Sequence, residues 1–165
     1  MSCNNAIAIF NDTNVKGSVR FHQCLNQPDV SVIFDLYNLP KNQQRAIHIH
    51  EFGDMSNGCM SLGGHYNPEN KKHGSYLIDI QNSHAGDLIN NLKSDTNGRF
   101  YYEYTDTRLK NIADILGRSV VIHEGVDDLG QTKHKDSKTT GNAGSRMGCA
   151  IIGIAKNGRL LLDNE

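Results

Sequence analysis

His48-Ile49-His50 lies inside the apolar run Ala46–Phe52. Successive side chains of an extended strand leave opposite faces, so the two imidazoles share one face while Ile47 and Ile49 enter the core on the other. Two His at that spacing make a chelating pair, although two solvated side chains give the same pattern. More donors follow in the chain. His65, His73 and His84 fall in one long stretch without strand pattern, Asp87 follows it, and His123 ends the apolar run Val120-Val121-Ile122. Six of the eight His therefore stand at strand ends or in long loops, together with one carboxylate. Imidazole nitrogens suit copper and zinc. Three His with one carboxylate close a tetrahedral zinc site, whereas four imidazoles suit the tetragonal preference of Cu(II), which can also change oxidation state. Seven side chains supply eight ligands only if one His serves both metals as a bridging imidazolate. The two remaining His, His22 and His134, read as surface residues.

The elements that must carry these groups are short β-type runs separated by turn residues: Ala6–Phe10, Ser18–Cys24, Val30–Leu36, Ile47–Phe52, Arg99–Thr105, Ser119–His123 and Ile151–Ala155. A further strand is expected over Asp87–Leu92, with Ser94-Asp95-Thr96-Asn97-Gly98 as a hairpin connector into Arg99–Thr105. That makes about eight strands, with no long stretch of helical period to compete. Two segments, Gly53–Gly86 and Gly125–Arg146, are long and unpatterned, which marks them as functional loops.

The 165 residues suit a single domain over 1–165, and 17 basic against 18 acidic residues leave a net charge of −1. Near-balanced charge argues against a nucleic-acid or membrane-surface protein held by bulk electrostatics, and no apolar run is long enough for a membrane helix. Met1-Ser2-Cys3-Asn4-Asn5 has no basic leader and the apolar stretch after it is short, so a cytosolic protein is expected. In that compartment Cys3 and Cys24 read as ordinary free thiols.

The run His48-Ile49-His50-Glu51-Phe52-Gly53-Asp54, then Gly58-Cys59, Gly64-His65-Tyr66-Asn67-Pro68, His73-Gly74 and His84-Ala85-Gly86-Asp87, resembles the first metal-ligand region of the copper/zinc superoxide dismutase family. His123-Glu124-Gly125-Val126-Asp127-Asp128-Leu129-Gly130 and Gly141-Asn142-Ala143-Gly144-Ser145-Arg146-Met147-Gly148-Cys149 resemble its second half. The resemblance implies an all-β fold, an eight-stranded Greek-key β-sandwich or flattened barrel with two long functional loops. It implies copper on His48, His50, His65 and His123, zinc on His65, His73, His84 and Asp87, and His65 as the bridge. Asp127 matches the carboxylate that joins the two sites through their ligands. Cys59 and Cys149 match the family's intrasubunit disulfide, and Arg146 its active-site arginine, placed to attract and orient superoxide.

The implied reaction alternates Cu(II) and Cu(I), oxidising one superoxide to dioxygen and reducing a second to peroxide, with the His65 imidazole passing a proton. Lys133, Lys135 and Lys138 offer positive field in the second loop. The resemblance further implies a homodimer, with Ile151, Ile154, Phe52-Gly53 and Leu116-Gly117 where the contact lies. Some features depart from the usual pattern. Gly125 and Thr139 stand where many relatives carry lysine, Ala46 and Ile89 replace common glycines, and the His73-to-His84 spacing is two residues longer than usual, so that the loop should bulge there. Arg146 is flanked by Ser145 and Met147 without a proline, so no fixed backbone angle holds the disulfide loop rigid there; copper loading is expected to be independent of a dedicated copper chaperone. A chaperone module would carry a C-x-x-C pair in a further domain, and a non-catalytic decoy would lack a copper ligand or Arg146; the sequence shows neither sign.

Overall fold

Alternation builds the first strands directly. In the computed structural model, which describes residues 3–24 and 27–156, β1 (Cys3–Asn11) buries Ala6, Ala8 and Phe10, and β2 (Lys16–Cys24) buries Val19 and Phe21. β3 (Val30–Tyr37) adds Val32, Phe34 and Leu36 to the same core. The other strands are β4 (Gln44–His50), β5 (Ser56–Cys59), β6 (Asn91–Lys93), β7 (Phe100–Asp106), β8 (Ser119–His123) and β9 (Arg146–Ile154). Eight of them form one antiparallel sheet in the order β6-β4-β8-β9-β1-β2-β3-β7, with β5 outside it. The chain leaves the β1-β2-β3 meander, crosses to β4 at the far end and later returns to place β7 beside β3, a Greek-key path that rolls the sheet into a nearly closed barrel.

β4 and β8 differ from the rest because they are covered on both faces. Ile47, Ile49, Val120 and Ile122 join the core, while His48, His50 and His123 on the outer face are equally buried under the two long loops. The loops are shaped by local bonds rather than by a ladder. Short 3-10 turns occur at Ile80–Asn82, Ala85–Asp87 and Ile112–Ile115, and one helical turn at Ser137–Thr140. Where the His73-to-His84 stretch is long, Leu77 and Ile78 stand out into solvent.

Three expectations need correction. The strand over Asp87–Leu92 is not one: Asp87 closes a 3-10 turn by accepting from the His84 backbone N–H at 2.8 Å, and Leu88 and Asn90 take left-handed backbone angles before β6 begins at Asn91. Ser94–Gly98 does turn tightly, with the Asp95 N–H donating to Arg99 O, yet it is not a hairpin between ladder partners. β6 pairs with β4 and β7 with β3, so the turn spans the open seam of the barrel. Cys3 and Cys24 are not free thiols. They face each other in the β1–β2 register, with Cα atoms 4.0 Å apart, and are joined as a disulfide. His22 is half-buried beside them, whereas His134 is exposed.

Candidate metal centre

The outer face of β4 aims His48 and His50 at His123, which ends the neighbouring β8, and the loop after β5 brings His65 against β4 through a bridge to His50. The donor atoms of these four buried imidazoles lie within 4.8 Å of one another. His65, His73, His84 and Asp87 form a second group within the same limit, so His65 belongs to both. Its Nδ1 stands 2.9 Å from Asp87 Oδ1, while its Nε2 points the other way and has no partner.

Outer partners fix which ring nitrogen each histidine turns inward. His48 donates from Nε2 to Asp127 Oδ2 at 2.7 Å, His50 from Nδ1 to Gly63 O at 3.0 Å, His123 from Nδ1 to Gly144 O at 3.1 Å and His84 from Nε2 to Lys71 O at 3.1 Å. The opposite nitrogens converge. His50 Nε2 and His123 Nε2 lie 3.2 Å apart, and His48 Nδ1, His65 Nε2 and His84 Nδ1 are buried without hydrogen-bond partners among the described residues. Buried polar atoms are rarely left so, and imidazoles held from behind with lone pairs facing inward are the arrangement of metal ligands. In the second group His65, His73 and His84 each place Nδ1 2.9, 2.9 and 3.0 Å from the one oxygen, Asp87 Oδ1. Four ligand atoms around tetrahedral zinc stand about 3.3 Å apart at ordinary bond lengths, so this N3O cage is close to the size zinc needs. The donor chemistry of both groups fits the metals assigned to such sets, imidazole for copper and imidazole with carboxylate for zinc.

Asp127 connects the groups, accepting from His48 Nε2 through Oδ2 and from His73 Nε2 through Oδ1 at 2.8 Å. Sequence reasoning missed what holds it. Asn90 donates to Asp127 Oδ2, and Asn91 both donates to the Asp127 carbonyl and accepts from its N–H. Gly141 is the adjoining close approach: its φ is +63°, and a Cβ there would meet Asp127 Oδ1 at 2.3 Å and His73 Nε2 at 2.6 Å. Arg108 is a second omission. Buried, it grips Asp106 and donates to the His84 and Leu88 carbonyls on either side of Asp87, so it ties the second group to β7. A polar residue with left-handed backbone such as Asn90, or one arginine among the polar residues of Asp106–Asn111, is a faint signal beside the His pattern.

Burial and neighbouring imidazoles hold His48 and His50 well below the ordinary histidine range, burial also lowers His65 against the pull of Asp87, and burial brings His123 to about 4. His73 goes the other way. Burial lowers it, but the bonds to Asp127 and Asp87 outweigh that and raise it to about 9. Burial raises both Asp87 and Asp127, yet their histidine partners prevail and hold them below the usual carboxylate range. Four imidazoles in one cluster thus stay neutral and able to ligate.

Arg146 is the register partner of His123 at the start of β9. Its guanidinium donates to the carbonyls of Cys59 and Gly63, and Gly63 O is also the acceptor for His50. Cys59 is in turn joined to Cys149 by a disulfide, so the arginine, the first loop and the last strand are locked together at the rim of the histidine cluster. Lys133, Lys135 and Lys138 are exposed on the second loop.

The family model described as copper/zinc superoxide dismutase matches residues 15–152. The copper-zinc superoxide dismutase of Schizosaccharomyces pombe is 44% identical over 153 residues, covering 91% of this chain and 97% of that protein. The Saccharomyces cerevisiae enzyme of the same name is 41% identical over 152 residues, covering 90% and 97%. Among solved structures, that of the clock protein EA4 superposes with a TM-score of 0.84 at 38% identity, covering 94% of this chain and 97% of that one.

Proposed function

The chain belongs to the copper/zinc superoxide dismutase family, and on that premise we propose that His48, His50, His65 and His123 hold the copper, that His65, His73, His84 and Asp87 hold the zinc, and that Arg146 guides the substrate. The observation that carries this assignment is the sharing of His65 by two donor groups, with one nitrogen facing each. When bound, copper alternates between two oxidation states, so that one superoxide leaves as dioxygen and the next as peroxide.

The residues supply what so small an anion cannot. Arg146 stays charged and, with two carbonyls already accepting from it, is fixed in orientation, which leaves its remaining N–H groups to bind superoxide. His50 and His123 are held by backbone carbonyls, so their rings do not turn when substrate arrives. His65 Nε2 is the atom placed to hold a proton and release it to departing peroxide. Asp87 and Asp127 keep the second group rigid around the other face of that ring.

Dismutation by purified protein, with both metals counted, tests the reading. Wild type is expected to be active with about one copper and one zinc per chain; His123→Ala should lose copper and activity together. Arg146→Ala should keep its metals but lose roughly tenfold or more in kcat/KM, with a flatter dependence on salt. A fully loaded but inactive wild type would refute the assignment.

A homodimer is also proposed. Phe52 and Ile151 are exposed next to Gly53, which packs so tightly on the Gly117 carbonyl that a Cβ would lie 2.0 Å from it, and Ile154 projects beyond them. Such an apolar face suits a second copy of the chain, and Ile151→Glu should convert the dimer to monomer in sedimentation. Copper loading independent of a dedicated chaperone is the companion proposal; expression in chaperone-null cells with ample copper should still yield loaded, disulfide-bonded protein.

A further inference from the structure

A second cluster of metal-ligating side chains lies at one end of the β1–β2 ladder and shares no residue with the copper-zinc centre. Cys3, His22 and Cys24 place their donor atoms within 4.8 Å of one another. His22 Nδ1 donates to Asn5 Oδ1 at 2.6 Å, which leaves the Nε2 lone pair free, and Nε2 faces Cys24 Sγ at 3.2 Å. An imidazole held through one nitrogen with the other aimed at a cysteine sulfur is how a protein prepares a ligand. All three residues are half-buried, and Cys24 borders an open hollow lined by Asn4, Gln23, Gln27 and Lys110, so a small reductant can reach the disulfide.

We propose that Cys3, His22 and Cys24 form a thiol-gated metal site that takes Cu(I) once their disulfide is reduced. Thiolate, not disulfide sulfur, is the metal ligand, so the oxidised pair is closed. Two molecules of a cellular thiol supply two electrons: the Cys3–Cys24 bond breaks, the two thiols leave joined as their own disulfide, and their protons end on Cys3 and Cys24. Cu(I) then displaces thiol protons to solvent as it binds two sulfurs and His22 Nε2. Thiolates with imidazole suit Cu(I) and zinc alike. Zinc in a closed site takes four ligands, whereas three satisfy Cu(I), and the hollow offers amides and the Lys110 ammonium in place of a fourth ligand.

The test uses the copper- and zinc-loaded protein. It is reduced anaerobically with a phosphine until peptide mapping shows Cys3 and Cys24 alkylated by iodoacetamide in a parallel sample, freed of reductant, and titrated with Cu(I) against a chromogenic Cu(I) chelator. Reduced wild type should retain about one Cu(I) per chain more than oxidised wild type. The C3S/C24S double variant should lose that extra ion, and His22→Gln should weaken it roughly tenfold or more, while both keep full dismutase activity as the sign of an intact barrel. No extra ion in reduced wild type, as many extra ions in the double variant as in wild type, or tighter retention of Zn(II) than of Cu(I) would overturn the proposal.

Discussion

His73 and His123 belong to the two donor groups that share His65, yet they are pushed in opposite directions, and the difference has measurable consequences. His73, raised to about 9 between two carboxylates, is protonated at neutral pH in metal-free protein. Its contribution to stability is complete below the ordinary histidine value of 6.5 and is lost as pH rises through about 9. His123, lowered to about 4 by burial, contributes above 6.5 and loses that contribution as pH falls toward 4; His48, His50 and His65 share its direction. The metal-free protein should therefore melt highest near pH 6.5 and lower on both sides, which calorimetry across pH 4–9 checks. Zinc must displace the His73 proton, so loading at pH 7 should release about one proton per zinc, seen as a heat that varies with the ionisation enthalpy of the buffer. These side chains were legible because His at i and i+2 on an apolar run, repeated as His-rich loops, is a rare arrangement. The Cys3–Cys24 pairing was not, since it is a property of strand register and no local pattern marks it.

At the scale of elements, the strands that carry His48, His50 and His123 were readable from their apolar runs, and the turn shaped by the Asp87 carboxylate was not. β8 reads as a strand because every residue in it is buried, whereas Asp87–Leu92 reads as one only while the bonds made by the Asp87 carboxylate are unknown. Arg108 shows what replaces ladder bonds there. Its pairing with Asp106, which also accepts from the Tyr104 hydroxyl, and its stacking 5.3 Å above the Tyr76 ring hold the turn at Ala85–Asp87 against β7. Arg108→Met leaves Asp106 buried without its counter-charge and should cost about 3–5 kcal/mol in chemical denaturation. Zinc should also dissociate more readily, because the carbonyls of His84 and Leu88 lose their anchor; a competing chelator measures this.

For the whole molecule, the Cys59–Cys149 bond closes a separation of 90 residues and joins the first loop to the last strand. Chain-entropy reasoning assigns such a closure about 4.6 kcal/mol, so Cys149→Ser should unfold at correspondingly lower denaturant and release the Cys59 carbonyl that steadies Arg146. The seam carries a different consequence. A sheet rolled up without a ladder between β6 and β7 still has two edges, one three residues long and the other seven. Tyr76 of the zinc-bearing loop packs its ring 5.2 Å from Tyr104 and donates its N–H to Asn90, standing over that seam with Phe100 and Tyr102 beneath. On the proposed ligand assignment, zinc would hold that loop over the seam. Without zinc the loop is expected to loosen, and β7 would then offer unpaired backbone and the exposed rings of Tyr101 and Tyr102 as a template for another chain. Metal-free protein should aggregate in light scattering far faster than loaded protein, and Tyr102→Lys, a charge set on that edge, should slow it.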